Sequence, residues 1–281
     1  MIKKILLPLD PTNYTESASE FAIMIAKMYN AEITGLVVLD IPGIESEIGP
    51  LPPGVGFYAK ELENAKIDAA KVHIQNLLSK YKNKIESSGV IFVEAKAQGS
   101  PSDKIVEFAK FHDLVIIGQK NNYHFETSDE IENSLFEVLN DCVTPIFAVP
   151  DSVSKFNNNK EFNVIIAFND SNSSLRAFQR FAQIEFPKKI NLTIFISTDE
   201  KDKAKAQIEM MTSYLKLHGI DKIDSIITNK DKIKFFNGEV LARTDIIVLG
   251  AHSKKGLIDF MFGSLTKHLI NANENLLFIC Q

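Results

Sequence analysis

The sequence predicts two tandem copies of one α/β domain, each built on a parallel sheet with crossover helices. Three observations carry this expectation. Apolar strand-like runs alternate with amphipathic helical segments along the whole chain. The order of these elements restarts after an Asn/Lys-rich stretch, 151–160, which reads as a linker. Two pairs of segments also superpose: 4–10 on 163–169, and 134–149 on 264–279. The boundaries this gives are 1–150 for the first domain and 161–281 for the second.

Element by element, Ile2–Leu9 reads as the first strand, Thr15–Tyr29 as a helix and Ile33–Leu39 as the second strand. A loop rich in Pro and Gly, from Pro42 to Gly56, leads to a long helix over about Tyr58–Ser87. Strand Val90–Lys96, a short helix after Pro101, strand Leu114–Ile117, a helix around Ile131–Leu139 and strand Pro145–Val149 complete the copy. In the second copy the strands are Asn163–Phe168, Asn191–Ser197, Lys222–Thr228, Asp245–Leu249 and Asn275–Ile279. The helices there are Ser173–Phe186, Lys203–His218 and Gly263–Asn271. The second copy is shorter because the Pro/Gly loop has no counterpart in it.

Composition narrows the function. Hydrophobic content of 45% with 24% charged residues is that of a globular chain. A net charge of −5 argues against general nucleic-acid or membrane-surface binding. No apolar run approaches the ~20 residues of a membrane helix, and Met1–Lys4 leads into a strand without a signal-peptide pattern, so a cytosolic protein is expected. The two cysteines, Cys142 and Cys280, have no CxxC spacing and read as reduced, buried thiols. Charge is unevenly shared: residues 1–150 hold 13 lysines against 21 acids, and all three arginines lie in the second half. The 20 phenylalanines read mainly as core, with Phe235-Phe236 and Phe260-Met261-Phe262 as exceptions.

Several stretches resemble the universal stress protein family. Ile5–Asp10 followed by Ser17-Ala18 is an apolar strand ending in an acid before a small polar turn and a helix. Gly99-Ser100-Pro101 with Ile105, then Asp113-Leu114 running to Gly118, is similar to the family's G-x-P-x-x-x-I and D-L-(apolar)-G pattern. Gly250-Ala251-His252-Ser253, with Gly263-Ser264 downstream, resembles its nucleotide loop G-x2-G-x9-G-(S/T). The resemblance covers each half once. It implies a Rossmann-like five-stranded sheet of order 3-2-1-4-5 in each domain, helices on both faces, and pairing of the two copies through their last strands. It also implies adenine nucleotide binding in some members.

The loop's chemistry follows from elementary considerations. The fourth strand of an open α/β sheet delivers its carboxyl end to the ligand-binding edge. Residues without side chains let backbone N–H groups approach phosphate oxygens. Gly263-Ser264 opens the last helix, adding free N–H groups, a hydroxyl and the positive dipole end. The resemblance then implies a candidate site of Asn169, Gly250, His252, Ser253, Gly263 and Ser264, with ATP or AMP as ligand and magnesium accompanying ATP. This copy departs from the motif at Ser253, which stands at the second glycine, and at Asn169, which replaces the strand-one acid.

The first copy keeps Asp10 and Gly118 but carries Asn121 at the second glycine and Asn133-Ser134 at a spacing two residues too long. Asp129, Glu130 and Glu132 precede its last helix and would repel phosphate. It is expected to have lost an ATP site. No catalytic triad, HExxH, Walker loop or GxSxG is present, and the six histidines show no metal spacing. The expectation is a cytosolic stress-response binding module, possessing no turnover machinery and forming homodimers. The competing readings are a scaffold that binds no nucleotide and a slow ATP hydrolase.

Overall fold

In the computed structural model of the chain, the described residues are 1–49, 56–123, 125, 134–154, 156, 161–186, 189–251 and 264–281. They fall into two compact units, Ile2–Val138 and Leu139–Gln281. Among them no helix is long and apolar enough to cross a membrane.

The first unit contains β1 (Lys4–Pro8), α1 (Asn13–Tyr29), β2 (Glu32–Leu39), α2 (Ile41–Ile48), α3 (Gly56–Ser87), β3 (Phe92–Gln98), α4 (Pro101–Ala109) and β4 (Leu114–Gly118). Its strands run parallel in the order β3-β2-β1-β4. The central strands are buried on both faces because helices cover them, whereas β3 at the edge alternates in exposure. In α3 only Ala70, Ile74, Leu78, Tyr81 and Ile85 are buried, the narrow stripe of a helix lying on a sheet. Lys80 and Lys84 of that helix pair with Glu16 of α1 at 2.9 and 2.5 Å. Burial opposes ionisation of Glu16, but the two lysines outweigh it and bring its pKa down to about 2.

α5 (Ser134–Asp141) spans the boundary, and β5 (Ile146–Val149) belongs to the second unit. That unit continues with β6 (Glu161–Phe168), α6 (Asn172–Ala182), β7 (Lys189–Ser197), α7 (Lys201–Leu217) and β8 (Lys222–Thr228). It ends with α8 (Lys232–Phe235), α9 (Gly238–Arg243), β9 (Ile246–Gly250), α10 (Ser264–Ala272) and β10 (Leu276–Cys280). Parallel pairing gives β8-β7-β6-β9-β10, the order 3-2-1-4-5. On its other side β10 pairs antiparallel with β5, with Phe278 opposite Phe147 and their rings 4.8 Å apart. Phe181 and Phe186 extend this aromatic cluster. Cys142 and Cys280 are both buried free thiols.

Three local expectations change. The Pro/Gly loop begins as a helix, α2, because Asp40 caps it through Gly43 N–H at 3.1 Å and Pro42 suits a first turn. α6 stops at Ala182 rather than Phe186: the residue before Pro187 is disfavoured in helical backbone, and Phe186 turns into the aromatic cluster. Finally, α8 and α9 lie where no helix was expected, each capped by a side chain, Asp231 and Asn237 respectively.

One contact recurs in both units. A Cβ on Gly118, at the end of β4, would sit 2.5 Å from Cβ of Tyr14 in α1. On Gly250, at the end of β9, it would sit 2.2 Å from the backbone nitrogen of Ser174 in α6. The glycines thus let the first helix of each copy lie against the fourth strand. Gly250→Ala is expected to destabilise the protein by about 1–3 kcal/mol, the range for overpacking. Gly238→Ala, where a Cβ meets open space, should not. Urea unfolding of the two variants checks this.

Candidate functional site

At the carboxyl edge of the second unit's sheet, β6 ends in Phe168 and the chain turns through Asn169 and Asp170, the latter with a positive φ of 61°. Asn169 Oδ1 accepts from Ser171 N–H at 3.3 Å and from its hydroxyl at 2.7 Å. Ser171 in turn caps α6, completing a capping box with Ser174. Asn169 is therefore fixed at one end of its amide and exposed at the other.

Beside it opens a cavity of about 370 Å³ whose lining includes Asn169, Ser197, Lys230, Lys232, Gly250 and Thr266. Phe195 also contributes to the lining, and its ring stacks on Phe235 at 4.3 Å and meets Phe236 edge-on at 5.3 Å. The β8 end is pinned by Ser197 Oγ, which donates to the Lys230 carbonyl at 3.1 Å, and by Asp231, which accepts from Lys234 N–H at 3.0 Å. On the opposite side stand Leu265 and Thr266 in the first turn of α10. The first turn of α10, the positive end of its dipole, thus belongs to this wall. His268 ties α10 to α8 through a 3.0 Å contact between Nε2 and the Phe236 carbonyl.

Of the six residues expected to bind nucleotide, Asn169 and Gly250 line this cavity, and Ser264 is the exposed first residue of α10. His252, Ser253 and Gly263 lie outside the described residues, as does Phe260-Met261-Phe262. Gly250 has a packing role: its missing side chain accommodates the backbone of Ser173 and Ser174. Sequence reasoning missed Ser197 and Asn229–Lys232. They follow the second and third strands at the carboxyl edge, and that position alone could have flagged them. A wider groove of about 690 Å³, bordered by Asn163, Asp224 and Asp245, opens toward the amino ends of β6 and β9, away from that edge.

The first unit arranges the equivalent position differently. Asp10 is 1% exposed. Its Oδ1 accepts from Thr12 N–H at 3.0 Å, Thr12 Oγ at 2.7 Å and Thr15 Oγ at 2.5 Å. Its Oδ2 accepts from Asn122 N–H at 2.6 Å. The segment after β4 thus folds back over the carboxylate, burying Gln119, Asn121 and Tyr123. Burial pushes the Asp10 pKa up, against these hydrogen bonds, which favour the charged form. Burial, and then the charge of Asp10, raise the Tyr123 hydroxyl as well. Asn121 is buried with neither amide atom hydrogen-bonded among the described residues. Residues 129–132, whose acids were expected to repel phosphate, lie outside the described residues.

Two units, each built on parallel strands with helices packed against them, define the class: tandem α/β domains. Residues 1–127 match the model of the universal stress protein family. A universal stress protein of Methanocaldococcus jannaschii is 32% identical over 120 residues, which are 42% of this chain and 65% of that protein. The chain thus spans just under two thirds of that relative's length. A universal stress protein from Archaeoglobus fulgidus has the same fold over 99% of this chain and 98% of its own, with a TM-score of 0.66 at 18% identity. A Pseudomonas aeruginosa protein of unknown function aligns over 99% of this chain and 92% of its own, with a TM-score of 0.61 at 11% identity. Residues 1–127 are thus similar to the universal stress protein family, and the fold of the solved universal stress protein extends along the whole chain.

The contrast between the copies is testable. In Asp10→Asn, the amide nitrogen would face a donor, whether Asn122 N–H or the threonine hydroxyls. The expected cost is about 1–3 kcal/mol, that of an unsatisfied buried polar group. Asn169→Asp, at an exposed position, should leave the unfolding midpoint unchanged. Denaturant titration of both variants measures this.

Proposed function

We propose that the protein is a cytoplasmic tandem universal stress protein whose second copy binds an adenine nucleotide, ATP or AMP, and whose first copy binds none. The observation that carries this reading is the cavity beside Asn169, Gly250 and the first turn of α10. Its volume falls in the roughly 300–1,000 Å³ range of small-molecule sites. Its lining combines apolar side chains, among them Phe168, Phe195 and Leu249, suited to a base, with the first turn of α10, suited to phosphate. Gly263-Ser264 and His252 complete the phosphate end, and magnesium accompanies ATP.

In the first copy the chain's own Asn122 N–H and buried loop side chains stand over Asp10. That supports a structural, partner-binding role for this half. The described lining of the second-copy cavity offers one carboxylate, Asp231, and its Oδ1 is engaged in capping α8. This favours binding over hydrolysis, so occupancy acts by ordering the site and altering the surface offered to a partner. The protein works as a homodimer in this reading.

Calorimetry with ATP and AMP on the full chain is expected to give saturable binding with one nucleotide per chain. In Gly263→Asp, a negative charge at the phosphate end should weaken affinity at least about tenfold. No binding at millimolar ligand contradicts the reading; unchanged affinity in the variant moves the phosphate end elsewhere.

A further inference from the structure

The two copies provide an internal comparison of charge at the ligand edge. Where the first copy has Asp10, the second has neutral Asn169, whose Oδ1 is held by Ser171 and whose Nδ2 makes no hydrogen bond among the described residues. The β8 end of the cavity adds Lys230 and Lys232, both exposed. Neither forms an ion pair with an acid among the described residues. Asp231 between them offsets part of this charge while capping α8 through Oδ1. After the third strand of the first copy, by contrast, Lys104 is neutralised by Glu107 at 2.8 Å.

These lysines are not at the phosphate end proposed above. In the order β8-β7-β6-β9, the ends of β8 and β9 lie three strand spacings apart, or about 14 Å. A phosphate chain at the α10 N-terminus therefore leaves the lysines facing another part of the ligand. In dinucleotide sites, an acid near the ribose accepts from its free hydroxyl, whereas a cation there accommodates a ribose phosphate. Loss of the acid together with gain of two unpaired cations has the second character.

Resting on the nucleotide reading, we infer that the second-copy cavity selects adenine nucleotides bearing an additional phosphate on the ribose, with Lys230, Lys232 and Asn169 Nδ2 as its recognition groups. The sharpest probes are isomers: ADP, with both phosphates at the 5′ position, and adenosine 2′,5′- and 3′,5′-bisphosphate. All three hold two phosphates, so composition does not separate them and only placement does.

Calorimetry on the full chain at low ionic strength is expected to show one of the bisphosphates binding at least about tenfold more tightly than ADP, as one or two charge-assisted hydrogen bonds supply. The Lys230→Ala/Lys232→Ala double variant should lose that preference, its bisphosphate affinity falling at least about tenfold further than its ADP affinity. Asn169→Asp should lose it as well. If wild type binds ADP as tightly as both bisphosphates, or if the preference survives in the double variant, the inference is overturned and the nucleotide reading stands. If ATP or AMP binds but none of these three does, the inference alone falls; if no adenine nucleotide binds, both fall.

Discussion

The close approach of the first helix to the fourth strand is the constraint on which each copy depends. A side chain on Gly118 would meet Cβ of Tyr14 in α1, and one on Gly250 would meet the backbone of Ser173 and Ser174 in α6. A parallel sheet of order 3-2-1-4 places the first and fourth strands side by side, and the helix leaving the first strand must cross over their ends. With glycine at the contact, that helix begins directly above the carboxyl edge. The residue closing the first strand, Asp10 or Asn169, is then bound to the helix's own opening turn. In both copies one side-chain oxygen accepts from the residue two positions on: Thr12 in the first and Ser171 in the second.

From this shared frame the copies diverge through one more set of contacts. In the first, the other carboxylate oxygen accepts from Asn122, and the following loop is buried over it. A buried carboxylate needs such donors, because desolvation otherwise disfavours its charge. In the second, an amide replaces the carboxylate, the residue is exposed, and the space beside it is a cavity. The first copy thus satisfies its acid internally, and the second keeps a cavity beside its neutral amide.

Much of the fold was legible in the sequence. The duplication and the central strands followed from apolar periodicity and from the restart of the pattern after 151–160, and the strand order from the family resemblance. Local capping was harder to read: α2, α8 and α9 are short, and their starts rest on single side chains, Asp40, Asp231 and Asn237. The site was legible only in part. Asn169 and Ser264 were reachable from motif spacing. Lys230 and Lys232 were not, because they belong to the cavity through sheet order and share no motif with it. Gly250 was picked for a phosphate, yet its neighbours, Ser173 and Ser174, are nearly eighty residues away in sequence. The burial of Gln119, Asn121 and Tyr123 was equally hidden, since polar loop residues read as solvated until their tertiary partner is known.

The inequivalence of the two copies is tested most directly by hydrogen–deuterium exchange of the full chain with and without saturating ATP. The account predicts slowed exchange in peptides covering Asn169, Asn229–Lys232 and Leu265-Thr266, with no change in the peptide covering Gln119–Tyr123. Slowed exchange at Gln119–Tyr123, or at both edges equally, would contradict it.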